Sequence, residues 1–201
     1  MTQKVDLKKE LDCYRARHGV FRVVEVPPLR YLAVDGRGDP NTGPEYAAAL
    51  AALYPAAYKL KFASKRELGR DYVVMPLEGL WWADDMEAFT SRRDKSRWSW
   101  TLMILVPDWV PPDLVAAATE EAGATDLVDL RPLDEGTCVQ TLHLGPYDDE
   151  AEVLDRMHHE FIPGHGLRMT GRHHEIYLGD PRRVAPDKLR TILRQPVAVE
   201  G

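Results

Sequence analysis

The chain has 201 residues, of which 44% are hydrophobic and 29% are charged, a composition typical of a soluble globular protein with its own core. The 26 Lys and Arg against 32 Asp and Glu give a formal net charge of −6. A net acidic chain binds phosphate backbones poorly, so we expect no nucleic-acid partner. The N-terminus has no apolar signal segment, and no stretch approaches the roughly 18 apolar residues that span a bilayer. We expect a cytoplasmic protein that does not bind membranes.

The cysteines and histidines do not form a metal-binding motif. Cys13 and Cys138 are far apart and have no neighbouring cysteine at ligand spacing. After His159 and Glu160, an H-E-x-x-H motif would need histidine at position 163, which is Pro163. Five histidines fall in the last quarter of the chain: His158, His159, His165, His173 and His174. We predict no metal site and no organic cofactor.

The first half of the chain predicts a strand, a long helix and two further strands. The helix begins at Glu45 and is rich in Ala and Leu, and Pro55 is expected to kink or split it. A glycine- and proline-rich loop precedes it, and a polar stretch over residues 83–97 separates the later strands. The predicted strands cover residues 29–36, 71–82 and 98–107.

The second half predicts two helices alternating with strands. Asp113 is a plausible N-cap of the first helix, and Gly123 a plausible residue just past its end. A second helix over residues 148–162 has acids in its first turn, where the helix dipole favours them. Strands are predicted at residues 137–147 and 172–181, and residues 188–199 form a short helical turn or a strand.

The order strand, glycine, helix, strand, strand occurs twice. The first copy covers about residues 29–106 and the second about residues 137–197, with Gly36 and Gly145 ending the first strand of each. Two such units need each other to bury their sheets. We therefore expect an N-terminal extension over residues 1–25 and one α+β domain over residues 26–201.

Four segments resemble the GyrI-like domain family, most closely its stand-alone branch. They are GRGDPN at residues 36–41, PLEGLWW at 76–82, QTLHLGPYDDE at 140–150, and HEIYLGDPRRVAPDKLRTILRQPV at 174–197. The resemblance implies tandem pseudo-twofold β-α-β-β modules (SHS2/GyrI-like) with a ligand cleft between them. It also implies a hydrophobic aromatic or cationic small molecule as the partner, as in multidrug-binding effector domains.

The resemblance places a cleft acid at Glu175, in a predicted strand where Tyr177 shares its face. Spacing alone favours a solvent-facing acid. Some stand-alone members resemble hydrolases that open the cyclopropane of DNA-alkylating compounds. For that reaction Glu175 is the candidate base, Tyr147 or Tyr177 the candidate donor to the developing phenolate, and Trp81 the stacking surface.

The other candidate ligand-binding residues are open to two interpretations. Glu78 lies at the corresponding place in the first module, and it is either a cleft acid or a turn acid. Trp82 follows Trp81, so the two rings point to opposite faces of an extended chain. His143 lies within a strand, where a buried histidine with satisfied hydrogen bonds is the usual interpretation.

The leading hypothesis is that the cleft binds flat, lipophilic aromatic compounds, and two alternatives to their hydrolysis stay open. The first is a protein that sequesters the same compounds without turning them over. The second is a protein-interaction module such as a gyrase inhibitor, since fold does not settle function.

Overall fold

The computed structural model describes residues 4–83 and 95–201. The polar stretch predicted at residues 83–97 therefore lies mostly outside the described residues. In the described part of the chain, the strands form one antiparallel sheet in the order β1-β6-β9-β8-β3-β4-β2-β5, and β7 also pairs with β9. The strands are β1 Arg22–Val26, β2 Leu29–Arg37, β3 Leu77–Trp82, β4 Ser99–Val106, β5 Asp129–Leu133, β6 Gly136–Leu144, β7 Leu167–Met169, β8 His173–Tyr177 and β9 Arg190–Val199.

The two halves of the sheet are arranged symmetrically about its central pair of strands, β3 and β8. Strands β2, β4 and β3 of the first half match β6, β9 and β8 of the second, and β3 pairs with β8 at the centre. The strand that precedes each unit crosses to the other one, because β1 pairs with β6 and β5 pairs with β2. The predicted α+β fold is confirmed, and the two repeats form one continuous sheet.

Helices cover part of this sheet. They are α1 Leu7–Glu10, α2 Pro44–Glu67, α3 Pro112–Glu121, α4 Ala151–Arg156 and α5 Ile162–Gly164. Helix α2 continues through Pro55, so of the two predicted outcomes, a kink or a split, the split is excluded. Pro111 and not Asp113 is the N-cap of α3, whereas Gly123 has the predicted positive φ of 66° just past its end. None of the described helices is long and apolar enough to cross a bilayer.

Several element bounds differ from the predicted ones, and of the two alternatives predicted for the C-terminal segment the structure has the strand. The C-terminal segment is the strand β9, buried from Thr191 to Val197 because it pairs with β6 on one side and β8 on the other. The predicted helix over residues 148–162 is a 3₁₀ turn at Tyr147–Asp149, α4 and a π-helix at Met157–Phe161. Strand β3 starts at Leu77, just after Pro76, which cannot donate to a ladder.

Candidate functional site

The central pair of strands, β3 and β8, presents different chemistry on its two faces. The register pairs Gly79 with Glu175, and Trp81 with His173. Because side chains alternate along a strand, these residues share one face. The neighbouring Glu78 and His174 therefore point to the other face.

The first face forms the floor of a cavity of about 630 Å³. Such a volume is typical of sites for small organic ligands. Helix α2 and the turns at residues 147–151 and 178–182 also line the cavity. Its lining includes these aromatic and titratable residues: Tyr46, Tyr54, Trp81, Trp98, Tyr147, His173, Glu175 and Tyr177.

A chain of hydrogen bonds crosses the cavity floor. The indole Nε1–H of Trp81 donates to the Tyr177 hydroxyl over 3.0 Å, and that hydroxyl donates to Glu175 Oε2 over 2.6 Å. The second carboxylate oxygen, Oε1, lies 3.2 Å from His173 Nε2. Burial and the nearby Glu175 hold the pKa of the Tyr177 hydroxyl well above its usual range, so it stays a donor. The carboxylate is held at both oxygens.

Helix α2 supplies the aromatic wall. Tyr46, Leu50, Tyr54 and Tyr58 follow one another at intervals of four residues and all line the cavity. The Tyr46 ring stacks on Trp81 with centroids 6.4 Å apart. An adjacent face of α2 carries small and aliphatic residues that are buried in the core: Ala49, Leu53, Ala56, Ala57 and Leu60.

The turn at residues 147–151 contributes Tyr147, whose ring packs edge-on against Tyr177 at 5.5 Å between centroids. Burial raises the pKa of Tyr147 to about 12, with further contributions from Glu150 and Glu175. Within residues 4–83 and 95–201, its hydroxyl has no hydrogen-bond partner. It is therefore a protonated donor available to a ligand.

Charged side chains also line the cavity. Lys95 pairs with Asp148 at 3.3 Å, and Arg182 pairs with Asp180 at 2.9 Å. Lys8 from the N-terminal segment also lines the cavity. Arg182 and Asp148 are largely exposed, whereas Glu175 is mostly buried.

Four of the seven residues predicted for the site come together in this cavity: Glu175, Tyr177, Trp81 and Tyr147. The other three do not line it. Trp82 points to the other face, where Arg172 stacks on its ring at 3.5 Å. His143 is buried in β6, and its Nε2 lies 3.0 Å from the Pro146 carbonyl oxygen, so its hydrogen bonding is satisfied internally.

Glu78 is fully buried beneath the sheet in an ionic network. Its carboxylate accepts a hydrogen bond from Tyr14 and lies 2.9 Å from His174 Nε2. The other ring nitrogen of His174 lies 3.0 Å from Glu135, which Arg194 also contacts at 2.9 Å. Two acids thus face two cations. The Glu78 side chain is thus engaged with structural partners, and the backbone of β3 separates it from the cavity.

The network fixes the charges of His174 and Glu135. Burial alone would lower the pKa of His174, but the facing Glu135, together with hydrogen bonds to Glu135 and Glu78, raises it to about 9. Burial alone would raise the pKa of Glu135, but His174 and Arg194 lower it to about 2. Near neutral pH, His174 is an imidazolium and Glu135 a carboxylate.

Sequence reasoning did not assign Tyr46, Tyr54, Trp98 and His173 to the site, although all of them line the cavity. A usable signal for the first two was present, because tyrosines at spacing four mark one face of a helix. His173 shares its strand face with Glu175 and Tyr177 by simple alternation. Trp98 just precedes β4, and its edge-on contact with Trp81 crosses between elements. Within the described residues, no three His, Cys, Asp or Glu side chains converge to hold a metal ion.

Comparison with known proteins agrees with the motifs. The model of the GyrI-like small molecule binding domain matches residues 20–198. An uncharacterized conserved protein from Listeria innocua is 40% identical, with a TM-score of 0.87 over 97% of this chain and 100% of that one. A hydrolase from Listeria innocua is 38% identical, with a TM-score of 0.85 over 98% of this chain and 100% of that one. A second solved structure of a hydrolase from that organism is also 38% identical, with a TM-score of 0.83 over 97% and 100%. Among curated proteins, none is similar enough to count as a match. The chain belongs to the GyrI-like family of small-molecule-binding domains.

Proposed function

We propose that the cavity binds a flat, lipophilic aromatic compound and that Glu175 activates water to open a cyclopropane ring on it. The observation that supports this most strongly is a carboxylate held at both oxygens on the floor of an aromatic cavity. Oriented polar groups at the base of an apolar cavity are typical of sites for organic ligands.

The aromatic walls account for the binding step. The Trp81 ring contacts those of Tyr46 and Trp98, and Tyr147 also lines the cavity. A planar ligand between such walls gains offset-stacked and edge-to-face contacts, each contributing about 0.5–1.5 kcal/mol beyond buried area. A cationic group on the ligand would interact favourably with Glu175 and with the ring faces.

The hydrolysis step assigns a separate task to each polar group. Glu175 accepts a proton from water as the water oxygen bonds to a cyclopropane carbon. The strained carbon–carbon bond breaks, and its electron pair passes into the conjugated dienone, which becomes a phenolate. Tyr147 donates a hydrogen bond to the oxygen where this negative charge collects. Return of the proton to the phenolate gives a phenol and a ring-opened alcohol, with no cofactor consumed.

The two tyrosines predicted as donors differ in what their hydroxyls already contact. The only proton of the Tyr177 hydroxyl is directed at Glu175. The Tyr147 hydroxyl has no partner in the described part of the chain. We therefore assign the donor role to Tyr147 and an orienting role to Tyr177.

The neighbouring hydrolases support a catalytic function over simple sequestration. The two structures of hydrolases from Listeria innocua are 38% identical to the chain over nearly its whole length. The proposed reaction needs one base and one donor, and the cavity contains a candidate for each.

Binding is tested by titrating tryptophan fluorescence with a panel of flat aromatic cations. We expect quenching with a Kd below the millimolar range, because Trp81 and Trp98 line the cavity. A panel that quenches neither the wild type nor Glu175→Gln in that range contradicts the binding proposal.

Hydrolysis is tested by incubating the protein with a cyclopropane-bearing alkylator and following the ring-opened alcohol by mass spectrometry. Product well in excess of the protein supports turnover. Stoichiometric protection of the compound without any alcohol would contradict hydrolysis and leave sequestration.

A further inference from the structure

Gly79 lies directly opposite Glu175 in the central ladder, and it has no side chain where a cross-strand neighbour would stand. A β carbon built at Gly79 would lie 2.7 Å from Trp81 Nε1 and 3.2 Å from the Tyr177 hydroxyl oxygen. The backbone of Gly79 is not in the positive-φ region. Space above the residue, and not backbone conformation, is therefore what its glycine supplies.

The space matters because two distant side chains meet in it. Trp81 pairs with His173, which precedes Tyr177 by four residues, so Trp81 and Tyr177 start about 14 Å apart along the strands. Both side chains lean back toward the middle of the ladder. Their polar atoms meet above Gly79 at 3.0 Å.

The contact between them has a fixed direction. An indole N–H can only donate, so the Tyr177 oxygen must accept from Trp81. The single proton of Tyr177 then goes to Glu175 Oε2, 2.6 Å away. The orientation of the carboxylate thus depends on Trp81 through Tyr177.

We propose that Gly79 is a positioning residue, whose missing side chain lets Trp81 and Tyr177 meet and thereby orient the Glu175 carboxylate. This inference rests on the proposed function, in which Glu175 activates water. Gly79 itself touches neither the water nor the ligand in this scheme. Its effect passes through two side chains that line the cavity.

The first test compares Gly79→Ala with Gly164→Ala. Gly164 lies in α5, where an added β carbon meets nothing within 4 Å, so this control adds the same methyl group without a clash. For a cyclopropane-bearing substrate we expect Gly79→Ala to lower kcat by about 10- to 100-fold, since small misplacements of reacting groups have effects of that order. The Kd of a flat aromatic cation should change much less than kcat, because Trp81 is the one aromatic wall ring that the added β carbon would displace, while the others remain. A kcat within about twofold of the Gly164→Ala control overturns the proposal.

The second test does not depend on activity. The Trp81 indole N–H should exchange slowly with solvent and resonate downfield in the NMR spectrum, because it donates to Tyr177. Tyr177→Phe assigns the signal by removing its acceptor. We expect Gly79→Ala to lose the same signature, and retention of the slow, downfield signal in that variant overturns the proposal.

A third variant tests the contact between Trp81 and Tyr177 if Gly79→Ala does not fold. Trp81→Phe removes the indole donor without adding atoms, and we expect it to lower kcat by about tenfold or more. Unchanged kcat in Trp81→Phe overturns the proposal. Failure of the proposed function is recognised separately, because the wild type would then form no alcohol while the indole signal still reports on the Gly79 contact.

Discussion

Glu78 and Glu175 lie in the same pair of strands, one register step apart, and their side chains point to opposite faces of the sheet. Glu175 faces the cavity and contacts Tyr177 and His173. Glu78 is fully buried and contacts Tyr14 and His174. One acid is available to a ligand, and the other is committed to the interior. Substitutions on the two faces should therefore have different effects, on stability at the buried network and on activity at the cavity.

Loss of the imidazolium in the buried network should destabilise the protein strongly. His174→Gln leaves the carboxylates of Glu78 and Glu135 with one cation fewer in a region closed to solvent. Removing one partner of a buried ion pair costs about 3–5 kcal/mol in unfolding free energy. Urea unfolding measures this loss. His159→Gln is the control, because its pair with Asp155 is exposed, and an equal effect in both variants would contradict the account.

The same network predicts how stability depends on pH. Folding raises the pKa of His174 from 6.5 to about 9, so its contribution is complete below about 6.5 and is lost as the pH rises through about 9. Folding lowers the pKa of Glu135 from 4.5 to about 2, so its contribution is complete above about 4.5 and is lost as the pH falls toward 2. We expect the network to stabilise most between about 4.5 and 6.5.

Urea-unfolding midpoints at about pH 5.5 and about pH 9.5 test this directly. The wild type should unfold at a lower urea concentration at the higher pH. The His174→Gln variant should show a smaller difference, because it lacks the group that titrates. A pH dependence that is identical in the two proteins would exclude His174 as its source.

Gly36→Ala should destabilise the protein for a steric reason that does not involve the cavity floor. Gly36 pairs with Trp100 across strands β2 and β4, and an added β carbon would overlap the fully buried indole ring. Overpacking of this kind costs about 1–3 kcal/mol or more. The melting temperature should fall well below that of Gly164→Ala. Equal melting temperatures of the two variants would contradict this prediction, because the Trp100 ring would then accommodate the added methyl group.

The sequence predicts the two repeats and most of the cavity floor, because strand alternation places Glu175 and Tyr177 on one face without further information. It does not predict that Glu78 faces away, since that depends on the exact register between β3 and β8. The spacing of Tyr46, Tyr54 and Tyr58, in multiples of four residues, predicts that they share one side of α2. The ionic network joins Tyr14, Glu135 and Arg194 from distant parts of the chain, and no local pattern indicates such contacts.

The separate tasks assigned to the two tyrosines can be resolved kinetically. Tyr147→Phe should lower kcat by about 10²-fold or more, as expected when a donor to a developing oxyanion is lost. Its effect on KM should be small, since the ring remains. Tyr177→Phe should lower kcat and also remove the slow exchange of the Trp81 indole, whereas Tyr147→Phe should leave that signal unchanged. Loss of the indole signal in Tyr147→Phe would contradict this assignment.

The most direct test of the central claim, that Glu175 activates water in this cavity, follows the oxygen of the water. The cyclopropane-bearing compound is incubated with protein in ¹⁸O-labelled water, and the ring-opened alcohol is analysed by mass spectrometry. We predict one labelled oxygen per product and many products per wild-type protein. Glu175→Gln, which keeps the shape of the side chain but not its basicity, should form the alcohol only at the rate seen without protein. Turnover by Glu175→Gln at the wild-type rate would contradict the claim.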